Sequence, residues 1–432
     1  MKESGVAWIG EIPQGWEIKR MKDCFISNSR PQPNNTVLSL SYGKVIVKDM
    51  EEKKGVTPES YDSYQGVHPG DVVLRLTDLQ NDQKSLRVGR ATTKGIITSA
   101  YLCVSSRSLN DRYSAYLLHD VGDIQKLFYG LGGGVRQSMK FADLAELLFS
   151  LPPKSEQLAI ADHLDRQTAL IDQRLSTLAD KKAVLGELRK ATIHEAVTKG
   201  LNKTAAMKAS GVAWIGEIPQ GWELVRVKDV SPVNRGASPR PIDDPIYFDD
   251  DGEYAWVRIA DVSASSNGFL ETTTQRLSKL GEAKSVKRHP GDLFLSIAGT
   301  VGKACITKIK ACIHDGFVYF PRMNEEATKK FFFYLFNSGL AYDGLGKFGT
   351  QLNLNTETVG SILVPLPPFP EQRAIADHLD RQTQQFDAQL ATLDEQAQVL
   401  KELRKAIIHE AVTGKIDLSH YTSPQPKQVL AT

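Results

Sequence analysis

The chain has 432 residues, enough for two or three domains with substantial cores, and an ordinary globular composition: 41% hydrophobic, 24% charged, mean hydropathy −0.28. A net charge of only +2 excludes a histone-like basic coat and leaves room for local positive patches. No run approaches the ~18 apolar residues of a membrane span, and the N-terminus lacks an apolar signal core. Cys24, Cys103, Cys305 and Cys312 show no CxxC spacing. Free thiols in a soluble, cytoplasmic protein without a membrane partner are therefore expected.

The first segment, residues 1–153, opens with SGVAWIGEIPQGWE (Ser4–Glu17). Trp8 and Trp16 in it read as packing anchors. HPGDVVLRL (His68–Leu76) reads as a turn entering a strand, YLCVSS as a further strand, and SAYLLHDVGDIQKLF as a helix leading to a glycine-rich loop. Residues 154–200 form a long helix. Pro152 and Pro153 mark its start, Glu156 suits its first turn, and Leu164, Ile171, Leu175, Leu178 and Leu185 make a heptad stripe. Gly186 interrupts that stripe, at a penalty of about 1 kcal/mol.

The opening motif returns unchanged at Ser210–Glu223, inside a second segment, residues 201–369. This segment has its own turn and strand (HPGDLFLSIAG, His289–Gly299), a buried strand in FVYFPR and a helix in TKKFFFYLFNSGLA. A second long helix, residues 370–413, carries Leu379, Phe386, Leu390, Leu393 and Leu400 on its stripe. Its EQRAIADHLDRQT (Glu371–Thr383) and ELRKAIIHEAVT (from Glu402) nearly duplicate EQLAIADHLDRQT (Glu156–Thr168) and ELRKATIHEAVT (from Glu187). Residues 414–432 read as a flexible tail. The expected fold is α+β: two strand-rich domains in tandem pseudo-repeat, separated by two long helices forming an antiparallel coiled coil. A period of this length marks a duplicated domain rather than a solenoid. Identical scaffold with divergent inserts implies that the inserts read two different things.

No catalytic signature survives inspection. IHEAVT at Ile193 and Ile408 lacks the second histidine of a zinc-protease helix, with Thr198 and Thr413 in its place. GTVGKA (Gly299–Ala304) lacks the upstream glycine spacing and the hydroxyl after Lys303 of a phosphate loop. GLGGG (Gly130–Gly134) lacks a dinucleotide-binding context, DPIY (Asp244–Tyr247) is one proline short of a methyltransferase signature, and there is no GxSxG. No metal-ligand set and no cofactor of the chain's own are expected.

Binding chemistry concentrates in two polar loops at equivalent places. In the first, Arg136, Gln137, Ser138 and Lys140 offer a fork, an amide, a hydroxyl and a cation, the groups that read base edges and phosphate. In the second, Lys347, Thr350, Gln351, Asn353 and Asn355 are the equivalents. Arg87, Arg90 and Lys94, beside Lys84, are candidate phosphate contacts. Arg235, Ser238, Arg240 and Arg258 are candidates for phosphate or bases in the second insert.

The duplicated SGVAWIGEIPQGWE, each copy followed by a variable segment, then LPPKSEQLAIADHLDRQT or LPPFPEQRAIADHLD and a long helix, resembles the specificity subunit of type I restriction-modification systems over nearly the whole chain. The first half departs only at Lys154 and Ser155, where the second has Phe369 and Pro370. The resemblance implies two target-recognition domains, each reading one half of an asymmetric split site in double-stranded DNA. It implies helices that set the gap and dock two methyltransferase subunits, and a chain without activity of its own. S-adenosylmethionine would belong to the methyltransferase partner, which methylates adenine. ATP and Mg would belong to motor-nuclease subunits where these are present, driving translocation and cleavage. A coiled-coil scaffold that binds two proteins and no DNA is the competing reading. A self-contained restriction-modification enzyme is a third, disfavoured by the missing signatures.

Overall fold

Long amphipathic helices need an apolar face to bury against, and here each buries its two ends in strand-rich layers. The computed structural model describes residues 1–28, 30–32, 36–48, 60–79, 81, 82, 84–131, 139–265, 267–342 and 354–418. The chain is a mixture of helix and strand that divides into two compact units: residues 1–178 with 395–432, and residues 179–394. The long helices, Lys154–Lys199 and Phe369–Val412, are each shared between the units. The first runs unbroken through Gly186, because one glycine does not outweigh 46 residues of helix.

In the first unit the main sheet is antiparallel, in the order Phe25–Ser27, Leu102–Ser106, Val72–Leu74, Val88–Arg90. The hairpin Leu38–Ser41/Lys44–Val47 and the pair Gln65–Val67/Gly95–Ile97 add further strands. Glu17–Arg20, just after the repeated motif, pairs with Leu148–Leu151, just before the long helix. The helix Asp111–His119 starts where Asn110 accepts from the N–H groups of Arg112 and Tyr113, and a π turn over Asp120–Ile124 continues it. Phe25, Tyr113, Leu117, Phe128, Phe149 and Leu164 are fully buried in the core, where Ile408 and Val412 join them.

The second unit repeats this plan with more strands. A five-stranded sheet runs Asn234–Arg235, Phe317–Tyr319, Leu293–Ser296, Ala304–Thr307, Phe269–Leu270. A four-stranded sheet runs Gln275–Leu277, Tyr254–Val257, Ala311–Ile313, Val286–Arg288. Glu223–Arg226 pairs with Leu363–Leu366, the counterpart of the pair in the first unit. The helix Glu326–Asn337 buries Phe331, Phe332, Phe333 and Phe336, while Lys329 and Lys330 in its first half pair with Asp292 and Asp380.

The duplicated sequence makes duplicated contacts. Trp16 Nε1 donates to Glu156 Oε2 at 2.8 Å, and Trp222 Nε1 donates to Glu371 Oε2 at 2.8 Å. Both rings are buried, so these tryptophans anchor each motif to the first turn of the helix that follows it. Tyr116 donates to Asp165 at 2.8 Å with Thr168 at 3.1 Å; Tyr334 donates to Asp380 at 2.5 Å with Thr383 at 3.3 Å. Burial pushes both phenols up, Tyr116 to about 12. Each long helix ends at a left-handed glycine, Gly200 or Gly414. A Cβ on Gly414 would lie 2.4 Å from Pro13.

Along the helices, Leu164, Ile171, Leu178, Leu379 and Phe386 are buried, and Leu175, Leu185, Leu390, Leu393 and Leu400 are half-buried. In the second unit Arg189 pairs with Asp387 at 3.5 Å, and Lys182 pairs with Asp394. One helix recedes seven residues as the other advances seven, so these segments run antiparallel. In the first unit Arg404 pairs with Asp172 at 3.3 Å.

Candidate nucleic-acid interface

A base reader needs donors held in place at a surface. In the second unit the edge strand Asn234–Arg235 supplies the first of them. It passes so close to the opposite turn that a Cβ on Gly236 would lie 2.2 Å from the carbonyl oxygen of His314. That approach brings three side chains onto Asp315. Ser238 Oγ donates to its Oδ1 at 2.7 Å, Arg240 Nη2 donates to its Oδ2 at 2.8 Å, and Arg235 Nε donates to its backbone oxygen at 2.5 Å. The Ser238 hydrogen bond and the neighbouring arginines hold the Asp315 carboxyl below its usual range. Arg258, at the end of strand Tyr254–Val257, is close enough for its charge to act on the His314 imidazole. Burial, then the charges of Arg258 and Arg235, push the His314 imidazole down against the pull of Asp315. Arg235, Ser238 and Arg240 thus gather on Asp315, while Arg258 lies beside Asp261, whose Oδ2 accepts from the Arg258 backbone N–H at 2.8 Å.

The first unit corrects one expectation. Arg87, read as a phosphate contact, is fully buried. Its guanidinium donates to the carbonyls of Thr77 (2.7 Å), Asp78 (3.2 Å) and Asp82, and to Tyr129 Oη at 3.3 Å. A group with no exposed surface cannot touch DNA; Arg87 ties Thr77, Asp78 and Asp82 to the sheet. Arg90 is paired with Asp111 at 2.5 Å, and Lys94 is exposed between strands Val88–Arg90 and Gly95–Ile97. Lys140 is exposed at the start of the short helix Phe141–Leu144. Arg136, Gln137 and Ser138, and Lys347, Thr350, Gln351 and Asn353, lie outside the described residues. Asn355 caps the helix Thr356–Ser361: its Oδ1 accepts from Glu357 N at 2.9 Å and Thr358 N at 2.8 Å, which leaves only its amide N–H groups to offer.

Several residues of this cluster escaped sequence reasoning. Arg30, beyond the edge strand Phe25–Ser27, donates to Asp71 Oδ2 at 2.8 Å and to Ser105 at 2.9 Å, with the Asn28 amide also on Asp71. Arg30 in the first unit and Arg235 in the second thus occupy the same place, each at the end of the main sheet and each held by an aspartate. The signal was available: Arg30 follows Trp16 by 14 residues and Arg235 follows Trp222 by 13. The aspartates were not readable, since Asp71 and Asp315 sit at unrelated sequence distances from their arginines.

The discarded catalytic motifs have structural roles. Asp244 of DPIY caps a single turn by accepting from Ile246 N at 3.1 Å. Lys303 of GTVGKA donates to the carbonyls of Ser263 and Ser265. His409 faces buried Asp120 at 3.1 Å. Among the described residues no group of three or more histidine, cysteine, aspartate or glutamate side chains is placed to hold a metal ion, and no helix is long and apolar enough to cross a membrane.

The duplicated scaffold has counterparts among known proteins. The family described as Type I restriction modification DNA specificity domain matches residues 219–400. That stretch, in the second half of the chain, is similar to a type I restriction-modification specificity domain. A Methanocaldococcus jannaschii protein provisionally named the specificity subunit of type I restriction enzyme MjaX is 23% identical over 427 residues, 94% of this chain and 95% of that protein. The MjaVIII specificity subunit of the same organism is 27% identical over 282 residues, 62% of this chain and 61% of its own length. The Escherichia coli EcoKI specificity subunit is 26% identical over 210 residues, 46% of this chain and 44% of its own. Among solved structures, a chain from a type I R-M system superposes with a TM-score of 0.70 at 18% identity, covering 94% of this chain and all of that one. The HsdS subunit from Thermoanaerobacter tengcongensis gives 0.50 at 17% identity, covering 94% and 98%. These likenesses show the fold.

Proposed function

We propose that this chain is the non-catalytic, DNA-reading subunit of a cytoplasmic type I restriction-modification complex, and that each strand-rich domain reads one half of an asymmetric bipartite site. The observation that carries this reading is the duplicated scaffold together with the exposed cluster of Arg235, Ser238 and Arg240 around Asp315. The domains are residues 1–153 and 201–369. The helices 154–200 and 370–413 form an antiparallel coiled coil whose length sets the gap, and residues 414–432 form a tail. A 46-residue helix spans about 69 Å, long against the roughly 34–36 Å between half-sites one DNA turn apart. Arg136, Gln137, Ser138, Lys140, Lys347, Thr350, Gln351, Asn353 and Asn355 supply further DNA contacts, with Arg90, Lys94 and Arg258 contributing charge.

The same helices dock two methyltransferase subunits. Val184 and Leu188 on the first helix, and their repeat equivalents Val399 and Leu403 on the second, are exposed apolar pairs one turn apart. A duplicated patch of this kind suits two copies of one partner. S-adenosylmethionine resides in that partner, and ATP and Mg in motor-nuclease subunits where these assemble; the chain itself holds no cofactor. The test is a map of methylated adenines in cells with and without this gene beside its modification subunit. A gene-dependent motif with two unlike halves around a fixed gap is expected. Identical halves would refute the asymmetry, and no gene-dependent methylation with the partner expressed would sink the reading in favour of a protein scaffold.

A further inference from the structure

An exposed arginine paired with an exposed aspartate contributes little to stability, so the arrangement at Asp315 calls for another explanation. The Arg240 side chain is 69% exposed and that of Asp315 is 36% exposed. Yet Asp315 collects Ser238, Arg240 and the Nε of Arg235 at once, with its turn packed against Gly236. The effect is to fix the position of a long side chain that would otherwise sample many rotamers. A fork ordered in advance loses less entropy when it binds. A guanidinium has five N–H donors, and the hydrogen bond from Nη2 to Asp315 leaves a two-donor edge to present. The first unit differs here: Arg30 is only 34% exposed and its Asp71 is nearly buried, so that pair is closer to structural packing.

We infer that Arg240, braced by Asp315, reads the O6/N7 edge of a guanine, so that the half-site taken by the second unit contains a G·C pair whose recognition depends on this fork. Two parallel N–H donors match those two acceptors, and no other base offers the same pair in the major groove. Asp315 is a positioning residue and Arg240 the specificity-determining one. The inference rests on the DNA-reading function proposed above.

The test uses the full chain in complex with its modification subunit, selecting from a library of duplex DNA randomised across both half-sites. The complexes carry wild type, Arg240→Ala, Arg240→Lys or Asp315→Asn. The wild type should select a motif with a G·C pair in one half. Arg240→Ala should erase preference at that one pair, a loss of roughly 5- to 150-fold in discrimination, and leave the other positions intact. Arg240→Lys should not restore it, because an ammonium is a point charge without a fork. Asp315→Asn should weaken preference at the same pair and no other. Melting curves of the variants check folding, and Arg240→Lys keeps the test decisive if the alanine variant is unstable. A motif unchanged by Arg240→Ala, or a uniform weakening at all positions that Arg240→Lys repairs, would overturn the inference and leave the DNA-reading function standing. A wild-type complex that selects no motif would take down both.

Discussion

Replacing Arg87 with alanine separates a structural arginine from a DNA-contacting one. The side chain is fully buried and serves three backbone carbonyls, those of Thr77, Asp78 and Asp82. Its removal leaves these acceptors without donors, at about 1–3 kcal/mol for each that water cannot reach. Asn81 and residues 84–86 are exposed and Asp82 is half-buried, so part of that loss is recovered by hydration, and a net destabilisation of about 3–5 kcal/mol is expected. For a unit of about 200 residues this lowers the melting temperature by roughly 6–20 °C. Differential scanning calorimetry of the full chain reads the shift. Arg87→Lys should recover only part of it, because an ammonium reaches fewer of the carbonyls than a planar fork. DNA affinity measured well below the transition should keep its salt dependence. A melting temperature within about 1 °C of wild type, with the slope of log affinity against log salt reduced by about one, would refute the argument and make Arg87 a phosphate contact.

Other expectations follow from the same contacts. Trp16→Phe and Trp222→Phe each keep a ring and delete one buried donor to Glu156 or Glu371, so each should cost about 1–2 kcal/mol by thermal or chemical unfolding, and the two losses should match within error. Burial lowers the pKa of His314, His194 and His163. A histidine with a depressed folded pKa binds its proton better unfolded, so its contribution is complete above the unfolded value of about 6.5 and is lost as pH falls below it. Melting temperature should therefore drop between pH 7.5 and 5.5. Because His314 Nδ1 accepts from Gly316 N at 2.8 Å and must be unprotonated to do so, His314→Asn, which keeps an acceptor, should flatten the drop; an unchanged slope would count against this assignment. Cys24, Cys103, Cys305 and Cys312 are all buried, with burial raising the thiol to about 11 in Cys24 and about 12 in the others. None should label within minutes at pH 8 with a thiol-reactive dye, whereas all four should label in denaturant; fast labelling of any one in the native chain would contradict its burial.

Much of this protein is legible in one dimension. The duplicated motifs, the two long helices and their stripes, the proline-marked starts and the turn-and-strand units at His68 and His289 all rest on local sequence, because heptad spacing and turn chemistry act over a few residues. Trp16 and Trp222 of the repeated motif are buried as packing anchors, each with its indole N–H on the first-turn glutamate of the helix that follows. The helix Asp111–His119 starts three residues before the apolar stretch that marks it, because its cap is Asn110 and not an apolar residue.

Tertiary structure alone decided the meaning of the charges. Arg87 and Arg240 look alike in sequence, yet one is sealed beneath a loop and the other stands in solvent. Which face of a sheet a side chain joins is set by strand register, and a slip of one residue reverses it. The partners that fix Arg30 and Arg240 come from strands and turns 41 and 75 residues away. No local pattern encodes those distances: they follow from which edge strand lies beside which turn once the sheets have formed. The sequence by itself therefore determined the scaffold and its duplication, whose physics is short-range. The fold decided which aspartate holds which arginine, and so which cations stay exposed, because that pairing exists only after distant segments meet.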